Sequence, residues 1–222
     1  MKKNFFKKTN YKKGFSLVEL LVVAAIFFIL TGIVLFKQGK FSSDVLITST
    51  AYELALFIRE AQVYGVGSKV QVDAITNSRF AYGVYFSDVA GGNREATLFA
   101  DVPNGAGNFD FVYNLADGDI LMNKIEFKRD QVIHDFCGID GTNTAICKAE
   151  GLSALNITFV KPDLNARVKG VSSSGLVSDY ANGAIIKVKS SLGDKCRTIL
   201  VNPLGQISIK SVETGLTGCE SS

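Results

Sequence analysis

One acidic residue interrupts a long apolar stretch near the start of the chain. Residues 15–36 read FSLVELLVVAAIFFILTGIVLF, and Glu19 is the only charged side chain among them. A helix over this stretch, at about 1.5 Å per residue, matches a hydrocarbon core of roughly 30 Å. A carboxylate within such a segment costs about 3 kcal/mol and usually has a partner or a function. Glu19 therefore predicts a cationic partner that the stretch itself does not contain.

The residues before this stretch set its orientation. The leader is basic and has no acidic residue; its six lysines are Lys2, Lys3, Lys7, Lys8, Lys12 and Lys13. By the positive-inside rule, they hold the N-terminus in the cytoplasm. A cleaved secretory signal would have an apolar core of about 7 to 15 residues followed by a small-residue cleavage site, and neither is present. An uncut signal anchor of an extracellular protein outside any filament fits the length, but it leaves Glu19 unexplained.

The segment GFSLVELLVV, residues 14–23, resembles the prepilin-type cleavage and methylation motif of type IV pilins and type II secretion pseudopilins. The resemblance implies that a prepilin peptidase cuts after Gly14 and methylates the new amino group of Phe15. Glu19 is then the fifth residue of the mature chain. In a bundle of packed helices, the Phe15 amine of one subunit neutralises Glu19 of the next. The pair sets the axial register, because an unpaired buried charge is costly and a matched pair is tolerated.

The rest of the chain is long enough for one globular domain. We expect a leader at residues 1–14, a transmembrane and assembly helix at 15–36, an amphipathic continuation at 37–66 and an extracytoplasmic β-rich domain at 67–222. Loss of the six leader lysines changes the formal net charge from +3 to −3. A mildly acidic product lacks the broad basic footprint of a nucleic-acid binder.

The apolar pattern after residue 44 predicts a helix followed by strands. Apolar residues recur at steps of three and four, as Ile47, Ala51, Leu54, Ile58 and Ala61, which is typical of a helix packed on a domain. Beyond residue 68 the period changes to two, and glycine and asparagine punctuate the pattern. Strands are predicted at residues 70–74, 79–86, 95–101, 109–113, 124–128, 131–136, 154–160, 184–189, 198–202 and 206–211. The expected class is α+β, with a long N-terminal helix on an antiparallel sheet domain.

A second resemblance concerns this domain. The segments AYELALFIREAQVYGV, YGVYFSDVAGG, TLFAD and ILVNPLGQISI are similar to H-type pseudopilins and FimT-like minor pilins. The resemblance implies a helix packed against two antiparallel sheets and a minor subunit of a filament. Residues from about 103 to 182 are largely unmatched.

Four cysteines follow the apolar stretch: Cys137, Cys147, Cys196 and Cys219. Outside the cytoplasm disulfides persist, and four cysteines allow three connectivities. We expect Cys137 to pair with Cys147 and Cys196 with Cys219, which would secure the C-terminal tail. A zinc site is disfavoured, because no C-x₂₋₄-C pair occurs and His134 is the only histidine.

No catalytic or cofactor motif is present, so the sequence does not indicate an enzyme. His134 would have to serve any Ser/His/Asp site, and the G-x-S-x-G and H-E-x-x-H patterns are absent. The acidic segments 101–110 and 117–119 offer oxygen ligands for calcium, but Pro103 breaks the regular ligand spacing. We read them as turns and expect no metal and no cofactor.

DNA binding by a DNA-uptake minor pilin is the alternative function. The C-terminal region is rich in cations that could contact phosphates if they shared one face, namely Lys187, Lys189, Lys195, Arg197 and Lys210. Where the FimT-like proteins suggest an arginine-bearing turn, this chain has Gly205, Gln206, Ile207 and Ser208. We therefore expect a processed, non-enzymatic pilin or pseudopilin whose partners are the peptidase, the cytoplasmic membrane and other subunits.

Overall fold

The computed structural model describes residues 14–67, 80–89, 92–104, 107–127, 131–190 and 196–211. Its first element is helix α1, Leu17–Val66, which Gly32 does not interrupt. The chain divides within this helix into two compact units, Met1–Ser42 and Ser43–Ser222. The second half of α1 therefore belongs to the same unit as the β domain.

The apolar segment of the first unit is long enough to cross a membrane. Leu17–Leu35 comprises 19 residues, and none of its side chains is buried within the protein. The hydroxyl group in this segment belongs to Thr31, and its Oγ1 donates to the carbonyl of Phe27, one turn earlier in the helix, at 2.7 Å. Backbone and hydroxyl groups of this segment thus find partners within the helix, as a lipid environment requires.

In the described part of the second unit, eleven antiparallel strands form two sheets. The strands are β1 (Ala81–Ser87), β2 (Glu95–Asp101), β3 (Ile120–Glu126), β4 (Gln131–Ile139), β5 (Ala145–Cys147), β6 (Leu152–Phe159), β7 (Arg167–Ser172), β8 (Val177–Asp179), β9 (Gly183–Ser190), β10 (Cys196–Val201) and β11 (Ile207–Ser211). The six-stranded sheet has the order β3-β2-β1-β6-β7-β8, and the five-stranded sheet the order β11-β10-β9-β4-β5. The α+β class and the two sheets expected from the sequence are confirmed.

The core lies where the second half of α1 meets the sheets. The helical stripe predicted from the sequence is confirmed, since all five of its residues are no more than 1% exposed. They share one core cluster with Val84 and Ile157 of the six-stranded sheet and with Ile186 and Ile199 of the five-stranded sheet. Gly65 permits the close approach at the end of α1, because a Cβ there would lie 2.4 Å from the carbonyl oxygen of Phe159.

Polar side chains also join α1 to the sheet unit. Gln62 Nε2 donates to the carbonyl of Gly205 at 2.9 Å, and Arg197 Nε donates to Thr48 Oγ1 at 3.2 Å. The Thr50 hydroxyl donates to the side-chain oxygen of Gln131. Because these bonds are spaced along the helix, they fix its position on the sheets along its axis as well as across it.

The structure differs from the predicted strands in two respects. Residues 109–113 form loop rather than strand, while β5, β7 and β8 were not predicted. Aromatic and β-branched residues at 109–113 suggested a strand, but their backbone groups bond to side chains of other segments instead of to a neighbouring strand. Strands β5 and β8 have three residues each, too few to show a period of two. The predicted strand at 70–74 lies outside the described residues.

Candidate functional sites

The first candidate site is the start of α1. Gly14 and Phe15 precede the helix, Phe15 is 81% exposed, and the N–H of Leu20 donates to the carbonyl of Ser16 in the first turn. Glu19 also lies in the first turn and is exposed. Within the described residues, its carboxylate has no hydrogen-bond or ionic partner. Any cation that neutralises Glu19 in an apolar environment must then come from outside this part of the chain.

The second candidate site is an exposed apolar stripe on the half of α1 that belongs to the sheet unit. Val45, Tyr52, Leu56 and Val63 are each more than half exposed, and their spacing of seven, four and seven places them on one helical face. We call this face the helix stripe. A groove of about 350 Å³ runs beside it between α1 and strand β3, lined by residues such as Leu56 and Lys124. Single exposed apolar residues are common, but a row of them along one helix is typical of a contact surface.

The cysteines form structural disulfides. Cys137 and Cys147 are bonded to each other and join β4 to β5 at directly paired positions. Cys196 is also disulfide-bonded, and its expected partner Cys219 lies outside the described residues. Asp135, Cys137 and Cys147 have side-chain ligand atoms within 4.8 Å of one another. Because the two sulfurs are bonded to each other, they are not thiolates, and this cluster is not a zinc site.

His134 lies in strand β4 beside an irregularity in the register between Ile133 and Asp135. Its Nε2 is buried and has no hydrogen-bond partner among the described residues. Asp135 does not orient it, because that carboxylate accepts from the backbone N–H of Lys148 and lies 3.4 Å from Lys187 Nζ. The arrangement around His134 is therefore not that of a catalytic triad.

The structure divides the C-terminal cations between two faces of the five-stranded sheet. In the strand register, Lys187 and Lys210 lie opposite Thr198 on the two neighbouring strands, whereas Arg197 lies opposite the buried Val188. Adjacent residues of a strand point to opposite faces, so Arg197 lies on the core side and the two lysines on the other side. Lys189 is half-buried on β9, and Lys195 lies outside the described residues. Lys187, Lys189 and Lys210 therefore share one face, where Lys187 is paired with Asp135, and Arg197 lies on the opposite face.

Two buried carboxylates organise the connection between β2 and β3. Asp101 Oδ2 accepts from the N–H of Phe111 at 2.9 Å. Asp119 accepts from the N–H groups of Val102 and Asn114 at 3.0 and 2.8 Å, one at each oxygen. These acids, which the sequence offered as calcium ligands, are instead bonded to the backbone of the loop they begin and end. The sequence did not predict this role, because Asp near Gly and Asn is typical of turns in general and does not show which backbone groups its carboxylate binds.

The electrostatics of these acids reflect their burial. Asp101 is 1% exposed, and burial raises its pKa from 3.8 to about 7, although the Phe111 N–H opposes the shift. The charges of Asp119 and Asp110 raise the pKa of Asp101 further. Burial also raises the pKa of Asp119, against the effect of its two N–H donors. Both acids therefore favour the protonated form in the folded state more than in the unfolded chain.

The loop itself crosses the outer face of the six-stranded sheet. We call residues 102–119, except 105 and 106, the covering loop. Tyr113 packs between the rings of Tyr85 and Phe99, with centroids 5.1 Å from each, and its N–H donates to Asn156 Oδ1 at 3.0 Å. Asn156 is fully buried as a result. Polar positions that would face solvent on a bare sheet are thus covered and hydrogen-bonded.

Comparison with known protein families gives one match. The model described as "Prokaryotic N-terminal methylation motif" matches residues 9–35, which include Gly14, Phe15 and Glu19. The match supports a pilin-like protein that is processed by a prepilin peptidase and anchored by its apolar helix. Neither a curated protein nor a solved structure matches the chain.

The raised pKa of Asp101 predicts a pH dependence of stability that Asp101→Asn should remove. A folded pKa of about 7 against 3.8 means that the folded state binds more protons between these values, so the free energy of unfolding falls as pH rises from about 4 to 7. Asn retains an oxygen that accepts from Phe111 and carries no charge. Relative to the wild type, Asp101→Asn should gain about 3 kcal/mol between pH 4.5 and 7.5.

Urea unfolding of the full chain in detergent micelles at the two pH values measures this difference. Asp163→Asn, at an exposed acid, is the matched control and should change with pH as the wild type does. An unchanged pH dependence in Asp101→Asn would show that Asp101 is ionised throughout the range.

Proposed function

We propose that this chain is a structural subunit of a type IV pilus or type II secretion filament. A prepilin peptidase cuts after Gly14 and methylates Phe15, and α1 holds the product in the cytoplasmic membrane before it enters the filament. The observation that carries the proposal is Glu19, an exposed acid on an apolar helix within the methylation motif, which has no partner among the described residues.

The proposed assembly contact follows from the energetics of this one carboxylate. Left alone in an apolar bundle, it would be an uncompensated charge whose cost is several kcal/mol. The amine created at Phe15 by cleavage has the opposite sign, and both groups lie at the same end of α1. A neighbouring subunit can therefore supply the amine only when its helix is at one axial offset. Such a pair selects the register of packing rather than its overall strength.

The proposed topology places the β domain outside the cytoplasm. The lysines of the leader favour an N-terminus in the cytoplasm, and one apolar segment then puts the rest of the chain on the other side. The disulfide between Cys137 and Cys147 supports this, because structural disulfides persist in oxidising compartments and are rare in the cytosol.

The helix stripe is a second proposed contact between subunits. It lies on the half of α1 whose opposite face is packed on the sheets, so its side chains have no partner within the described β domain. Burial of an exposed leucine or tyrosine contributes about 1.5 to 3 kcal/mol. We propose that a neighbouring subunit covers this stripe in the filament.

The proposal includes a minor subunit of the H-type or FimT-like kind. Two antiparallel sheets packed on the helix agree with the architecture that this resemblance implies. The covering loop lies in the region from about 103 to 182, which the resemblance leaves largely unmatched. The resemblance therefore does not account for this loop. DNA uptake through the C-terminal cations is less favoured, because Arg197 lies on the opposite face from the lysines and Lys187 is already paired with Asp135.

Mass spectrometry of the mature N-terminus tests the processing step. We expect the protein purified from membranes of cells with a prepilin peptidase to begin with N-methylated Phe15. Deletion of the peptidase should leave the leader attached. A mature protein that retains residues 1–14 in the presence of the peptidase would instead identify an uncut signal anchor.

Replacement of Glu19 tests the register contact separately from processing. Glu19→Gln should insert and be cleaved as the wild type, since the apolar helix and Gly14 are unchanged, but should enter filaments at least tenfold less. Quantitative immunoblotting of sheared filaments against membranes measures incorporation. Glu126→Gln, at an exposed acid of β3, is the control and should have no effect. Equal incorporation of Glu19→Gln would contradict the proposed contact.

Replacement of Leu56 tests the helix stripe. Leu56 is 69% exposed, so Leu56→Gln should leave the unfolding midpoint of the purified subunit within the error of the measurement. Its incorporation into filaments should fall several-fold, because apolar contact area is lost only in the assembled state. Leu204→Gln, equally exposed on the turn before β11, should not reduce it. Similar incorporation by both variants would exclude the stripe as a contact.

A further inference from the structure

A groove of about 330 Å³ lies at the β7–β8 edge of the six-stranded sheet, beside the end of the covering loop. It combines two aromatic rings with charged groups of both signs. Among the residues that line it are Phe109, Phe111, Arg167, Lys169, Asp179 and Tyr180. Pockets that bind small molecules typically pair an apolar wall with a few convergent polar groups. We propose that this groove binds an acidic saccharide, a sugar that carries a carboxylate.

The aromatic wall is held in a fixed position. Phe111 has φ 61, a left-handed conformation that is uncommon for a residue other than glycine. Its N–H donates to the buried Asp101, and its ring lies 5.7 Å from that of Phe109. An unfavourable backbone conformation that is anchored by a buried acid is typical of positions where function requires a side chain in one place. The wall is therefore formed before any ligand arrives, which lowers the entropic cost of binding.

One cation of the groove is oriented but unpaired. The guanidinium carbon of Arg167 lies 4.9 Å from the centroid of the Phe111 ring, as in a cation–π contact. Within the described residues, Arg167 has no carboxylate partner. Lys169, by contrast, is paired with Asp179, with Nζ 3.2 Å from the carboxylate. Stacking holds the guanidinium fork in one plane, and its N–H groups are available for bidentate binding of a carboxylate.

The remaining groups of the groove match the chemistry of a sugar. A pyranose ring has an apolar face of C–H groups, which are attracted to the negative face of an aromatic ring such as Phe109. Its hydroxyls need both donors and acceptors, and the Lys169–Asp179 pair offers one of each. Among the described residues that line the groove, only Arg167 is a cation without a carboxylate partner, which fits one carboxylate. Single-stranded nucleic acid is disfavoured, because the carboxylate of Asp179 lines the groove and the processed chain has a net charge of −3.

Binding of trigalacturonate to the full chain in detergent micelles tests the proposal, with isothermal titration or ligand-observed NMR as the measurement. A neutral galactose trisaccharide and a thymidine oligonucleotide are the comparison probes. Arg167→Gln should weaken binding of trigalacturonate by about tenfold or more, because a charge-assisted bond is lost. Lys210→Gln, at an exposed lysine on β11, should leave it unchanged. Equal unfolding midpoints for the two variants establish that both are folded.

Each outcome decides the question. Binding of the acidic saccharide that is lost in Arg167→Gln and kept in Lys210→Gln supports the proposal. It is overturned if the folded wild type does not bind trigalacturonate, if both variants bind it equally, or if the neutral saccharide binds as tightly. Tighter binding of the oligonucleotide than of the saccharide would also overturn it in favour of nucleic acid. The test needs no filament, so it is independent of whether the chain assembles through Glu19.

Discussion

A lone acid on an apolar helix, Glu19, is the constraint on which the proposed role of this protein depends. A carboxylate at the start of an apolar helix is tolerated in water and costly in hydrocarbon, and within the described chain nothing neutralises it. In the proposed filament, the same residue would be a liability in the isolated subunit and a contact once a neighbouring subunit supplies the opposite charge. Cleavage after Gly14 would convert one state into the other by creating the opposite charge at Phe15. Processing and assembly would thus be linked by electrostatics alone.

The buried acids of the β domain differ from Glu19 in where their partners lie. Asp101 and Asp119 are satisfied by backbone N–H groups of their own loop and need no second molecule. They hold the covering loop against the outer face of the six-stranded sheet, where Asn156 takes part as a fully buried acceptor. The domain uses carboxylates as internal supports for a loop, and that loop in turn forms one wall of the groove beside Arg167.

The sequence predicted what periodicity and local motifs determine. The buried stripe from Ile47 to Ala61 repeats every three or four residues, and the long strands alternate, so the helix and the α+β class followed from the pattern. The two sheets were expected from the resemblance to known minor subunits. Gly14, Phe15 and Glu19 were identifiable because their motif is contiguous. The covering loop was not, because residues 109–113 have strand-like side chains and their partners, Asp101 and Asn156, are distant in sequence. Nor does spacing reveal that Arg197 and Lys187 lie on opposite faces, which depends on the pairing register.

The way in which α1 is held on the sheets has a mechanical consequence. Its buried residues form one row parallel to the helix axis, with polar ties from Thr48 to Arg197 and from Gln62 to Gly205 near the two ends of that row. Tension along the axis would strain all of these contacts at once, in shear, and no single contact would have to yield before the next. In the proposed filament, a load along the axis of α1 would act in this direction. Under a force perpendicular to the helix axis, the same contacts would separate one at a time. The attachment of α1 should therefore resist a force along its axis far better than a force that lifts it from the sheets.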